Sequence, residues 1–134
     1  PLIVKGARQI GKTESIKNFA ENNYKYLVEI NFALEQKYLS IFDDGFDVDS
    51  ILKNISFKNP DFKFIPNETL IFFDELQACP NCATSLKSFN QDGRFDVICS
   101  GSLLGIHYKR ISSVAVGFKE DYQMYLKFLM NYLK

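Results

Sequence analysis

Eight residues near the amino end, Gly6-Ala7-Arg8-Gln9-Ile10-Gly11-Lys12-Thr13, follow the pattern G-x-x-x-x-G-K-[ST]. Residues of these types at this spacing can wrap a chain of phosphates. Gly6 and Gly11 let the backbone come close where a side chain would block it, so successive N–H groups can converge on phosphate oxygens. Lys12 is suited to reach β- and γ-phosphates as a point charge, and the Thr13 hydroxyl to bind Mg2+. A helix starting here would add the positive end of its dipole at the same place. The nucleotide-contacting stretch is therefore expected to run from Gly6 through Ala7, Arg8, Gln9, Ile10, Gly11, Lys12 and Thr13 to Glu14. A plain glycine turn that merely exposes Lys12 and Thr13 competes with this, but a strand before the motif and a helix after it favour the phosphate loop.

A second cluster is Leu70-Ile71-Phe72-Phe73-Asp74-Glu75, an apolar run ending in two acids. The carboxyl end of a buried strand is where ligands bind in open α/β sheets. Asp74 is expected to hold Mg2+, directly or through water, and Glu75 to orient or deprotonate the water attacking the γ-phosphorus. Capping of the next helix by the acidic pair is the alternative. Ser100-Gly101-Ser102 follows another strand candidate, and Ser100, with Ser102 in reserve, could hydrogen-bond the attacking water or the γ-phosphate. A simple Gly/Ser turn would look the same in sequence. The catalytic set is thus Glu75, Lys12 and Ser100, and the metal ligands are Thr13 and Asp74.

Other chemistry is less supported. Cys79-Pro80-Asn81-Cys82 with Cys99 and His107 adds up to four zinc ligands on paper. A structural zinc site usually shows two compact pairs, whereas Cys99 sits inside an apolar run and His107 is the sole histidine, so the cysteines are read as structural thiols. Arg110 could reach a neighbouring subunit's nucleotide, against the commoner role of a solvated surface charge. Lys87, Lys109 and Lys119 are scattered and give no nucleic-acid face.

Positioning these groups requires alternating strands and helices. Leu2-Ile3-Val4 reads as a first strand that stops at Gly6. From Lys12, the apolar residues Ile16, Phe19 and Ala20 mark one helix face ending near Asn22 and Asn23. Tyr26 to Phe32 is β-rich, Asp47 could cap a helix bearing Val48, Ile51, Leu52 and Ile55, and Pro60 and Pro66 bracket a loop. Thr69 to Phe73 is the most hydrophobic strand. Ala83, Leu86 and Phe89 have helical spacing, Asp92-Gly93 gives a stop, and Phe95 to Ser100 is the next strand. The closing segment is read as a strand over Phe118 to Tyr125, then a short helix with Tyr125, Phe128, Leu129 and Tyr132. Helices on both faces of a mostly parallel sheet follow from this alternation.

The bulk properties agree with one globular unit. The chain has 134 residues, 46% of them hydrophobic, and 13 Phe with 7 Tyr, which suits an ordered core rather than a disordered tail. Sixteen basic residues balance sixteen acidic ones, so no overall field would gather nucleic acid or anionic lipid. No apolar run approaches the roughly 20 residues needed to cross a bilayer, no secretory signal is visible, and three cysteines suit a reducing compartment. A cytoplasmic protein without membrane association is expected. Because Pro1 precedes a residue already read as strand, the chain is expected to derive from something longer.

These residues together resemble the AAA-type ATP-binding proteins of bacteria and archaea that carry an AAA domain followed by a domain of unknown function. GARQIGKT at 6–13, EINF at 29–32, LIFFDELQACP at 70–80, SLKSF at 85–89 and VICSGSLLGI at 97–106 carry the resemblance, and VAVGFKEDYQMY at 114–125 is similar to the region leading into the fifth strand. The resemblance implies a Walker A loop at Gly6–Thr13, Walker B acids at Asp74 and Glu75, and a sensor at Ser100 or Ser102. It also implies a three-layer α/β/α sandwich of the P-loop NTPase type with a five-stranded sheet in the order 5-1-4-3-2. Where such proteins continue past the position of Tyr125 with a Pro-Leu and an acidic helix, this chain reads Leu126-Lys127-Phe128-Leu129. Residues 1–134 are accordingly expected to be the ATP-binding core, without the lid and downstream domain that would recognise a protein or DNA partner. ATP or ADP would be the ligand, with Mg2+, and a homo-oligomer is possible in such families. Mg2+-dependent hydrolysis of ATP is the leading function, and a binding-only nucleotide module and a small-molecule kinase are the alternatives.

Overall fold

The computed structural model describes residues 1–5, 10–101 and 114–117. In chain order it comprises β1 (Leu2–Lys5), α1 (Ile10–Asn23), β2 (Tyr26–Asn31), a 3₁₀ helix (Gln36–Phe42), α2 (Val48–Lys58), β3 (Thr69–Asp74), a single 3₁₀ turn (Leu76–Ala78), α3 (Pro80–Asp92), β4 (Asp96–Gly101) and β5 (Val114–Gly117). The strands form one sheet in the order β2-β3-β4-β1-β5, and each neighbouring pair is parallel. This is the expected order 5-1-4-3-2 read from the other edge. One expectation shifts: the described fifth strand is Val114–Gly117, ahead of the alternation at Phe118 to Tyr125, and 118–134, with the closing helix expected there, lie outside the described residues. The 3₁₀ helix at Gln36–Phe42 was also not foreseen, because its buried Tyr38, Ile41 and Phe42 follow no simple period.

Residue type explains most of the rest. All six residues of β3 are buried, as a central strand covered on both faces requires, whereas edge strand β2 alternates buried and half-buried positions. The backbone N–H of Ser50 donates to Asp47 Oδ2 at 3.0 Å, which caps α2 as its sequence suggested. Pro80 begins α3, and Gly93 ends it in the left-handed region with φ 73°.

Side chains that align across parallel strands share a face, and this sorts the core into two layers. On one face Leu2, Val4, Leu70, Phe72 and Ile98 pack against Ile16, Phe19 and Ala20 of α1. On the other, Ile3, Ile30, Ile71, Phe73, Val97 and Cys99 meet α2, α3 and the 3₁₀ helix. Phe73 is fully buried there, stacked on Phe32 at 5.6 Å and edge-on to Phe89 at 5.9 Å. The result is a three-layer α/β/α sandwich in which, among the described residues, α1 covers one face of the sheet and α2, α3 and the 3₁₀ helix cover the other.

Candidate active site

Because every strand runs the same way, their carboxyl ends come together at one edge. Asn31 pairs in register with Asp74, Val4 with Ser100 and Lys5 with Gly101. Phe73 pairs with Cys99, so Asp74 and Ser100 each stand one residue further along their strands. The two-residue alternation puts Asp74 on the same face as Leu70 and Phe72, toward α1. There the Thr13 hydroxyl donates to Asp74 Oδ2 at 3.3 Å, a contact between residues 61 positions apart. Helix α1 begins at Ile10, so Gly11, Lys12 and Thr13 occupy its head, where N–H groups lack intrahelical partners.

Asp74 is 6% exposed, and its other oxygen, Oδ1, accepts the backbone N–H of Glu75 at 2.8 Å. Its carboxylate therefore bridges α1 and the turn after β3. Thr13 and Asp74 offer a hydroxyl and carboxylate oxygens, hard donors of the kind that suits Mg2+ rather than a thiophilic metal. They fit the metal expected from the sequence.

Glu75 has φ 57° and ψ 51°, in the left-handed region. The only other described non-glycine residue at positive φ is Asn67, a type that tolerates this conformation; glutamate gains nothing local from it. Such strain persists where surrounding structure imposes it, often at active sites. Glu75 makes no side-chain capping bond to the following turn. Glu75 Oε2 accepts a hydrogen bond from Gln77 Nε2.

Ser100 is buried at the end of β4, on the α1 face with its register partner Val4. Glu14 is exposed on α1. Gly6, Ala7, Arg8, Gln9, Ser102, His107 and Arg110 lie outside the described residues, and only the backbone of Ile10, Gly11 and Lys12 is described.

Two residues went unrecognised from sequence. Glu29 on β2 faces α1, where Lys17 Nζ comes within 3.7 Å of its Oε1. Burial raises the Glu29 pKa, Lys17 opposes that rise, and the charge of Asp74 adds to it, so Glu29 feels the site electrostatically. Its only sequence signal was an acid at an inward position of a strand. Gln77 carried no signal at all, because its contact depends on the turn between β3 and α3.

Cys79, Cys82 and Cys99 are buried free thiols, burial pushes the Cys79 and Cys82 pKa values up, and no metal-binding cluster of His, Cys, Asp and Glu exists among the described residues. No helix among the described residues is long and apolar enough to cross a membrane.

The family model described as an AAA domain matches residues 1–130. Among solved structures, one titled as C. elegans PCH-2 aligns with 98% of this chain and 39% of that chain, at 20% identity and a TM-score of 0.49. The chain therefore spans well under half of that structure. No curated protein matches the chain.

Proposed function

The chain belongs to the AAA domain family, and from that premise we propose that this nucleotide-binding protein hydrolyses ATP with Mg2+ as cofactor, using Glu75 as the group that handles the attacking water. The observation that carries the proposal is the 3.3 Å contact between Thr13 at the head of α1 and Asp74 at the end of β3. It brings together two motifs that the sequence separates, at the sheet edge where phosphates would lie.

In this mechanism Gly6 to Thr13 hold the triphosphate through backbone N–H groups, and Lys12 adds a positive charge that favours the β- and γ-phosphates. The Thr13 hydroxyl and the Asp74 carboxylate would hold Mg2+. When bound, the metal supplies charge neutralisation for the phosphate oxygens. Glu75, one residue beyond Asp74, orients a water and accepts its proton as the O–P bond forms and ADP leaves. Ser100, at the end of the neighbouring strand, can donate a hydrogen bond to that water or to the γ-phosphate. The low exposure of Asp74 and Ser100 limits competing solvent at this edge. An arginine from a second copy, with Arg110 as candidate, would supply further charge in an oligomer.

The test pairs calorimetry with steady-state phosphate release. Wild-type protein should bind ATP in the presence of Mg2+, and Lys12→Ala should lose that binding. Glu75→Gln should retain binding and lose release, by on the order of a hundredfold or more for removal of a general base. Equal release by wild type and Glu75→Gln removes Glu75 from the mechanism. Binding with only background release from both leaves a nucleotide-binding module without turnover.

A further inference from the structure

We infer that Gln77 is a positioning residue that locks the Glu75 carboxylate to the end of β4; this deepens, and rests on, the hydrolytic reading above. Glu75 is held in a backbone conformation that its side chain does not favour, so something beyond local preference must fix where its carboxylate points. Gln77 Nε2 donates to Glu75 Oε2. The same carboxamide reaches in the opposite direction to β4. A Cβ built on Gly101 would stand 2.6 Å from Gln77 Oε1 and 3.2 Å from the Leu76 backbone N.

Gly101 is therefore a glycine for lack of space, and the space is taken by the group that binds Glu75. Its φ lies outside the left-handed region, so conformational freedom does not explain it. Leu76, fully buried, anchors the short turn that presents both Glu75 and Gln77. The carboxamide is thus confined between a carboxylate on one side and the backbone after Ser100 on the other. A neutral donor serves this place well, since it restrains an ionised carboxylate through a charge-assisted bond without neutralising it. The arrangement ties the expected water-handling acid to the strand end that carries Ser100, so displacement of β4 would be felt by Glu75 through one side chain.

Gly101→Ala is a separate way to break the clamp. The nearest clashing atom is the far end of a flexible side chain, so the added methyl should expel the carboxamide, while the Leu76 backbone N at 3.2 Å and Cβ at 3.3 Å yield by a few tenths of an ångström and the protein still folds. Gln77→Glu keeps the size of the side chain but replaces the donor with a repelling acceptor. If Gln77 positions Glu75, Gln77→Ala, Gln77→Glu and Gly101→Ala should each lower kcat about tenfold or more, with KM for Mg·ATP within about twofold of wild type. Gln77→Ala combined with Gly101→Ala should fall no further than either alone, because both remove one interaction. Full kcat in Gln77→Glu, or additive losses in the double variant, would overturn the inference.

A second measurement does not depend on turnover. In the 15N spectrum, the Gln77 side-chain amide should have one proton shifted and slow to exchange, and both features should vanish in Glu75→Ala and in Gly101→Ala. Absence of these features in wild type refutes the clamp. If wild type releases no phosphate but shows them, the hydrolytic reading fails while the clamp stands.

Discussion

Replacing Glu75 by glycine and, separately, by alanine should reverse the usual stability order of these two residues. Both substitutions delete the carboxylate and its bond to Gln77, so the difference between them isolates the backbone. With φ 57° and ψ 51°, any Cβ at position 75 lies close to the following carbonyl, a cost of about 1–2 kcal/mol for an L-residue. Glycine escapes that cost but gives up about 0.5–1 kcal/mol through the greater freedom of its unfolded chain. Glu75→Gly should therefore be more stable than Glu75→Ala by about 0.5–1 kcal/mol. A chain of 134 residues has an unfolding entropy of about 0.28 kcal/mol per kelvin, so the difference in Tm should be about 2–4 °C. Scanning calorimetry at matched pH reads it directly. If alanine equals or exceeds glycine, the left-handed conformation is not imposed on Glu75, and the idea of a strained acid held for function fails with it. Both variants should lack phosphate release.

Thr13→Val should abolish the gain in ATP affinity that Mg2+ provides, on the order of tenfold or more, while Thr13→Ser keeps it; titrations with and without Mg2+ distinguish the two, and an unchanged gain in Thr13→Val would exclude Thr13 as a ligand. Phe73→Ala should cost about 3–5 kcal/mol, because its ring fills the space between Phe32 and Phe89 in a fully buried position; urea melts would show it, and a loss under 1 kcal/mol would contradict the packing. Tyr24 donates to Asp96 Oδ2 at 2.5 Å, and burial first, then this bond and the Asp96 charge, raise the Tyr24 pKa well above its ordinary value. A raised folded pKa means that the stabilisation is complete below the unfolded value of about 10 and is lost as pH rises through the folded value. Urea midpoints of wild type and Tyr24→Phe should accordingly differ at pH 8 and converge above pH 10, and parallel curves would refute the linkage.

Much of the candidate site was legible because the signals are local. The spacing Gly6 to Thr13, the apolar run into Asp74 and Glu75, and the small residues after Cys99 are each short patterns with a physical meaning of their own. Helix limits were equally readable where one residue sets them, as Asp47 and Gly93 do. The strand at Val114–Gly117 went unmarked because four residues are too short for alternation to show. Glu29 and Gln77 were invisible because their partners, Lys17 across the sheet face and Glu75 around a turn, are defined only by the path of the backbone.

By itself, then, the order of residues determined which groups could bind phosphate, metal and water, and that strands and helices must alternate between them. Strand order rested on family resemblance, since hydrophobic period reports which face of a strand is buried but not which strand lies beside it. Tertiary structure alone decided that Thr13 meets Asp74, that Glu75 adopts a left-handed backbone and that Gly101 makes room for Gln77. These facts depend on parallel strands ending at a common edge, where residues far apart in the chain converge.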